Sequence, residues 1–252
     1  MNMIDDSQRK AARIAGVTGV LAVVIVVFGN YVLLSPLIVP RDAVETARNI
    51  MAHQTQARAA LICFLLYSVN VVVLLAALYV ILKPVDRTLA LIGALLRLVF
   101  AVLWLFATLN LLGALRLLGT APYLRVFQPD HVQTLATLQI AANFDDYYVG
   151  LPFFGLAATI CAYLWLRSGY IPKSLAVFGI ISSAWCVICA FVFLVFPDFN
   201  KVVNDYIFDT PMAIFELVVS LWLLFKGLQP ARSPTKSDRV SNLHHHTFPI
   251  FL

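Results

Sequence analysis

The sequence predicts an all-α, polytopic membrane protein with six transmembrane helices. Composition is the first reason: 61% of the 252 residues are hydrophobic and 12% are charged, against about 25% charged in soluble domains. Mean hydropathy is +0.87. The second reason is spacing, because the apolar residues gather in runs near the length of about 20 that crosses a bilayer as a helix. The runs fill nearly all of the chain and leave no room for a separate soluble domain. The net charge of +5 is spread over helix ends and the tail, which suits orientation and contact with membrane lipids and gives no nucleic-acid surface.

Residues 1–12 read as a cytoplasmic N-terminal segment, 13–228 as the six-helix domain and 229–252 as a disordered cytoplasmic tail. The first run, Ile14 to Leu34, follows Arg9, Lys10 and Arg13. It exceeds a signal-peptide core and ends without a small-residue cleavage site, so it stays attached as a span. The second and third runs are Ala59 to Leu82 and Leu89 to Leu112. The fourth is Tyr148 to Leu166, the fifth Leu175 to Phe196. The sixth, Pro211 to Phe225, is short, and a start a few residues earlier is expected. Past Lys226, Gln, Pro, Ser, Lys and Asp dominate and cannot bury apolar surface. The His244 to His246 run in that tail reads as solvated, with a weak metal site as the alternative.

Cations set the orientation. With the N-terminus inside, the cytoplasmic side collects Arg9, Lys10, Arg13, Lys83, Arg87, Arg167, Lys173 and Lys226. The outer side holds fewer, including Arg48, Arg58 and Arg116. Both termini are then cytoplasmic. The outer links are more than turns. Asp42 with Glu45 resembles a capping box and opens an amphipathic stretch through Gln56, and Asp130 opens a helix that runs through Asn143 into the fourth span. Each is expected to cap the bundle or to lie at the interface.

A threefold pattern accompanies this layout. Tyr79 and Lys83, Tyr163 and Arg167, and Trp222 and Lys226 each pair an aromatic with a cation four residues on, followed by Pro84, Pro172 and Pro230. Outer links carry Pro then Asp at Pro40 and Asp42, Pro129 and Asp130, Pro197 and Asp198. Three helical hairpins fit these repeats, and so do ordinary interface preferences.

Candidate chemistry sits on two spans. Arg97 lies about 13 Å into the third run and Glu216 about 15 Å into the sixth at the helical rise, so opposite charges meet the bilayer at one depth. Ionisable groups there are costly and mark functional sites by default. On the third span, Gly93, Ala94, Arg97, Ala101, Trp104 and Thr108 share one face. On the sixth, Asp209, Met212, Ala213, Glu216 and Ser220 form the matching stripe. We expect Arg97 to pair with Glu216, with Asn70 and Ser183 adding hydrogen bonds. A pair that only fixes packing remains the alternative. Gln139, Asn143, Asp146 and Gly150 share a face at the start of the fourth span, beside Asp145, Tyr147 and Tyr148. Adjacent carboxylates point about 100° apart and do not aim into one small site.

The four cysteines, Cys63, Cys161, Cys186 and Cys189, fall inside apolar runs and act as small hydrophobes. Apart from the tail, the histidines are His53 and His131, on different links, and no ligand spacing, nucleophile elbow or phosphate loop occurs. The residues therefore name no catalytic group, no metal and no cofactor, and they leave the oligomeric state open.

Several strings, in order, resemble the bacterial multi-pass family of domain of unknown function 4386. They are LYVILKPVDRTLALIGALLRLV (Leu78 to Val99), GLPFFGL (Gly150 to Leu156), LRSGYIPKSLAVFGII (Leu166 to Ile181) and PMAIFELVVSLWLLFKG (Pro211 to Gly227). The resemblance implies a bacterial inner-membrane protein without an established activity, and its strings contain Arg97 and Glu216. Members often carry a histidine after FFGL, where this chain has Ala157, so no histidine chemistry carries over to that position. The leading functional expectation is binding or transport of a small molecule or lipid through an outward-facing polar pocket formed by Arg97, Glu216, Asn70, Asp146, Asn143, Tyr147 and Trp104. The alternatives are a structural or signalling module and a membrane enzyme acting on a lipid.

Overall fold

Asp5 starts the first helix, its carboxylate accepting from the Gln8 N–H at 2.6 Å while the Gln8 side chain accepts from the Asp5 N–H at 3.2 Å. This reciprocal cap satisfies two backbone donors that the first helical turn leaves without partners. The computed structural model describes residues 4–39, 42–119, 126, 128–196 and 205–229. Pro40, Pro197, Asp198 and residues 230–252, with the His244 to His246 run, lie outside the described residues, so of the outer Pro-Asp pairs the one at Pro129 and Asp130 has both members described.

The described residues are all helical or in short connections. Helix α1 (Asp6–Val27) passes into a π-helical segment (Phe28–Leu34) and a 3-10 turn (Ser35–Leu37). There follow α2 (Ala43–Ala52), α3 (Gln54–Leu82), α4 (Arg87–Leu117), α5 (Pro129–Ser168), α6 (Lys173–Val195) and α7 (Asp205–Phe225). Among the described residues, six stretches are long and apolar enough to cross a membrane: Asp6–Leu37, Gln54–Leu82, Arg87–Leu117, Asp130–Ser168, Lys173–Val195 and Ile207–Phe225. The expected spans all fall within these helices apart from the last residue of the fifth run, and the sixth does begin before Pro211. Their outward faces carry Val69, Leu109, Ile181 and Ile188, each more than half exposed. Soluble monomers rarely expose so much contiguous apolar surface, whereas lipid chains cover it without cost.

The spanning helices form a closed ring in chain order. Each packs on its neighbour, α1 on α3, α3 on α4, α4 on α5, α5 on α6 and α6 on α7, and α7 returns to α1. In such a ring α4 stands opposite α7. The closure is made by small residues: a Cβ on Gly16 would lie 2.7 Å from the Leu224 nitrogen, so α1 and α7 meet backbone to backbone, as helices do in lipid where apolar side chains gain nothing by leaving it.

Polar locks hold the end where α1 starts and α7 finishes. Asp86 caps α4 through the Leu89 N–H at 3.0 Å and accepts from Arg167 of α5 at 3.2 Å. Gln8, buried, donates to the Ile81 carbonyl at 3.1 Å and to the Tyr170 hydroxyl at 3.2 Å. Gly169 ends α5 with φ of 69°, a left-handed conformation that glycine adopts without strain.

The opposite end is covered by α2 and the first turns of α5. Thr46, Ala47 and Ile50 of α2 are buried, and Ala47 and Ile50 join Ala136 and Ile140 of α5 in one apolar cluster. Helix α2 therefore packs on the bundle as well as presenting a polar face. Two expectations at this end are corrected. Asp42 does cap Glu45, at 2.9 Å, but Glu45 turns to Arg48 at 2.9 Å rather than back to the cap, so the described bonds make half of a capping box. And α5 begins at Pro129 with Gln128 as its cap residue, because proline suits a first helical turn whose N–H has no intrahelical partner.

Candidate functional site

The floor of the site is an ion pair across the ring. Arg97 of α4 donates to both carboxylate oxygens of Glu216 on α7, at 2.6 and 3.3 Å. The Arg97 side chain is 3% exposed and that of Glu216 is 18%, so the guanidinium is shut in while the carboxylate keeps an open side. Phe154 of α5 covers the guanidinium at 4.8 Å from its ring centre, a cation-π contact. The third-span face holds up, with Gly93, Arg97, Ala101, Trp104 and Thr108 all buried, and Ala157, fully buried, lets α5 approach Gly93 closely.

A second brace lies toward the α2 end. The Tyr147 hydroxyl of α5 donates to Asp209 of α7 at 2.6 Å. Between the two braces is a chamber of about 90 Å³ lined by residues that include Arg97, Trp104, Tyr147, Asp209, Ala213 and Glu216. Beyond it a vestibule of about 270 Å³ is lined by Asn30, Tyr31, Ser35, Phe64, Asn143, Tyr148 and others. The two cavities share Trp104, Tyr147 and Asp209. The indole of Trp104 packs at 4.6 Å from Tyr67, 5.1 Å from Phe64 and 6.0 Å from Tyr147. Its Nε1 is buried without a hydrogen-bond partner, as is Arg97 Nε. Buried donors are nearly always satisfied, so both stand out on the walls of a cavity.

Local backbone chemistry builds the vestibule. The π-helical segment Phe28–Leu34 widens the first span with an i→i+5 repeat, a rare form that is frequent at functional sites. It brings Asn30 and Tyr31 to the cavity wall, and Gly29 within it allows contact with Cys63 and Phe64, where a Cβ would lie 2.9 Å from Cys63. Pro152 lies inside α5 and Pro211 inside α7, each removing one backbone hydrogen bond.

Of the residues singled out in the sequence, Arg97, Glu216, Trp104, Tyr147 and Asn143 line these two cavities. Asn143 is tied to the Ala107 carbonyl at 2.7 Å. Two do not. Asn70 gives its side-chain N–H to the Thr18 carbonyl at 2.7 Å and so joins α3 to α1 instead of serving the ion pair. Asp146 accepts from Asn110 at 2.6 Å and ties α5 to α4 outside both cavities. Ser183, also expected near the pair, has a buried hydroxyl without a partner and its carbonyl faces Gly155. The acid-base set of an enzyme is thus dispersed: His131 is exposed at the start of α5, and Asp146 and Glu216 share no cavity. All four cysteines are free thiols.

Asp209, Asn30, Tyr31, Tyr67 and Phe154 join the site from the structure. Asp209 was visible on the Glu216 stripe, two turns away. The others carried no signal, being ordinary interface or core types.

A family profile, domain of unknown function 4386, matches residues 14–227. The chain belongs to that family. No curated protein and no solved structure matches it. For this DUF4386 protein, the match spans all six membrane helices and includes both braces, so the family assignment and the helical ring together make it an integral membrane protein.

Proposed function

We propose that this protein binds, or carries across the membrane, a small molecule or lipid-derived group taken up from the α2 end. In this reading that end faces the outside of a bacterial plasma membrane and both termini are cytoplasmic, as the cation distribution suggests. One observation carries the proposal: a vestibule of about 270 Å³ leads, through shared Trp104, Tyr147 and Asp209, to a chamber floored by a buried ion pair. Ligand sites are concave, mostly apolar and set with a few convergent polar groups. A ring that needed only to be packed has no use for such space, since voids weaken a core.

Ala213 lines the chamber and reports access to it. In a cysteine-free background, Ala213→Cys is expected to react in intact cells with a small membrane-impermeant methanethiosulfonate added outside. Ile181→Cys, on the lipid face, is expected not to react. Absence of labelling at Ala213→Cys, with the variant in the membrane, refutes an outward-opening site.

A further inference from the structure

We infer that the chamber recognises its ligand by an uncharged carbonyl oxygen, which accepts from the Trp104 indole N–H and the Tyr67 hydroxyl, on a molecule that is otherwise apolar there. The inference rests on the binding reading above and names both the chemistry of the ligand and the residues that read it.

The donors come first. Trp104 of α4 lines the chamber, is 4% exposed and holds its Nε1–H without an acceptor. Tyr67 of α3 lines the same chamber and is 6% exposed, and its hydroxyl is party to no hydrogen bond among the described residues. The two rings lie 4.6 Å apart, so donors from adjoining helices stand together on one wall. The Arg97 Nε–H, also unpartnered, adds a third donor to the same chamber. Buried donors are nearly always satisfied, and an indole N–H can only donate. The wall therefore calls for an acceptor. A carbonyl oxygen has two lone pairs and serves both aromatic donors at once.

Charge narrows the acceptor. Among the described residues lining the chamber, the cation is Arg97, and its guanidinium already gives two hydrogen bonds to Glu216, at 2.6 and 3.3 Å. A ligand carboxylate has to displace Glu216 to gain a counter-charge here, and a buried charge without one is costly. An ammonium brings donors alone and leaves Trp104 and Tyr67 as they were. An uncharged carbonyl supplies the acceptor without either penalty.

Size and lining narrow the rest of the molecule. Most of the other residues around the chamber are apolar, among them Ala22, Val26, Val71, Leu151 and Phe154. An apolar cavity of about 150 Å³ accommodates benzene. A chamber of about 90 Å³ thus holds about four non-hydrogen atoms on the same scale, a carbonyl with its flanking carbons. The remainder of the ligand extends past Trp104, which is common to both cavities, into the vestibule. A methyl ketone or a short ester of an aliphatic chain has this form.

The test uses the full-length protein in detergent and four probes of one chain length: 2-hexanone, its isostere 2-methyl-1-hexene with a methylene in place of the oxygen, hexanoate and hexylammonium. One readout is the indole N–H resonance of Trp104 in nitrogen-labelled protein, assigned by its loss in Trp104→Phe. The other is protection of Ala213→Cys, in the cysteine-free background, from the methanethiosulfonate. The ketone is expected to move the indole proton downfield, as a new hydrogen bond does, and to protect the cysteine, while the other three probes do neither. Tyr67→Phe keeps the ring and removes the hydroxyl, and is expected to weaken protection by the ketone about three- to tenfold with the circular dichroism of a folded helical protein retained. Protection by the alkene equal to that by the ketone overturns the acceptor, and protection by hexanoate or hexylammonium in preference to the ketone overturns its neutrality; either leaves a ligand cavity standing. An indole proton already downfield without probe and unmoved by the ketone assigns the donor to bound water and overturns the inference. Protection by none, with Ala213→Cys still labelled, overturns the inference alone. Failure of the labelling itself overturns the binding reading beneath it.

Discussion

Removing one partner of the Arg97–Glu216 pair is expected to cost the fold unequally, according to which charge is left behind. Glu216→Leu strands a guanidinium that is 3% exposed, with Phe154 at 4.8 Å as its remaining favourable neighbour. An uncompensated buried charge costs about 3–5 kcal/mol, and the aromatic contact returns about 0.5–2 kcal/mol in both wild type and variant, so the loss stays near the full figure. Arg97→Met strands Glu216, which is 18% exposed and faces a chamber of about 90 Å³. That space exceeds the roughly 10–15 Å³ one water needs. A carboxylate that can be hydrated there loses about 1–3 kcal/mol. The double variant replaces an ion pair by apolar groups, which is often neutral, so the coupling between the two sites is expected at about 2 kcal/mol or more. Equilibrium unfolding in mixed micelles of dodecyl maltoside and sodium dodecyl sulfate, followed by circular dichroism, measures all four proteins. The reasoning is refuted if Arg97→Met costs as much as Glu216→Leu, or if the double variant costs the sum of the singles.

Two further outcomes test the closure of the ring. Gly16→Ala places a Cβ against the Leu224 nitrogen at 2.7 Å and the Ser220 carbonyl at 2.9 Å, backbone atoms that move only if α1 and α7 part. Gly19→Ala meets instead the Ser220 side chain, which can rotate away at the expense of its bond to the Glu216 carbonyl, 2.6 Å long. The Gly16 variant is therefore expected to lose about 1–3 kcal/mol and the Gly19 variant less, and equal losses in the same micelle assay count against backbone closure. Gln8→Leu removes three bonds at the terminal end, those it donates to Ile81 and Tyr170 and the one it accepts from the Asp5 N–H, and leaves the Ile81 carbonyl in the last turn of α3 short of a partner. A loss of about 1–3 kcal/mol is expected, with Tyr170→Phe losing less because it gives up one bond. A Tm unchanged by Gln8→Leu contradicts the lock.

The membrane helices were legible because lipid leaves the backbone no other choice: each apolar run must satisfy its own N–H and C=O groups as a helix. Arg97 and Glu216 were legible for the same reason in reverse, since charges in such runs need a partner. Helical periodicity also placed Asp209 on the Glu216 face. What it could not supply was which neighbour a polar side chain bonds to. Asn70 has a carbonyl within reach on α1 and so never needed the ion pair, and Asp146 found Asn110 on the adjoining helix. The vestibule was hidden for a different reason. At Phe28–Leu34 the first span leaves the α-helical repeat, so a face counted at 100° per residue drifts out of phase where Asn30 and Tyr31 line the vestibule. Ring closure was invisible too, because it depends on α1 meeting α7 across the length of the chain.

That closure explains why the polar braces cross the ring instead of running around it. Neighbouring helices are already held by small-residue contacts and by bonds such as Asn70 to Thr18 and Asn143 to Ala107. None of these fixes the distance between opposite walls, and in lipid no hydrophobic drive pulls those walls together. Arg97 to Glu216 spans α4 to α7, and Tyr147 to Asp209 spans α5 to α7. Both converge on α7, the helix that also closes the ring against α1. The width of the chamber between the braces is thus set by where α7 stands. Trp104 on α4 and Asp209 on α7 form opposite sides of the passage into it, so the same two crossings that keep the ring open at its centre also define what can fit there.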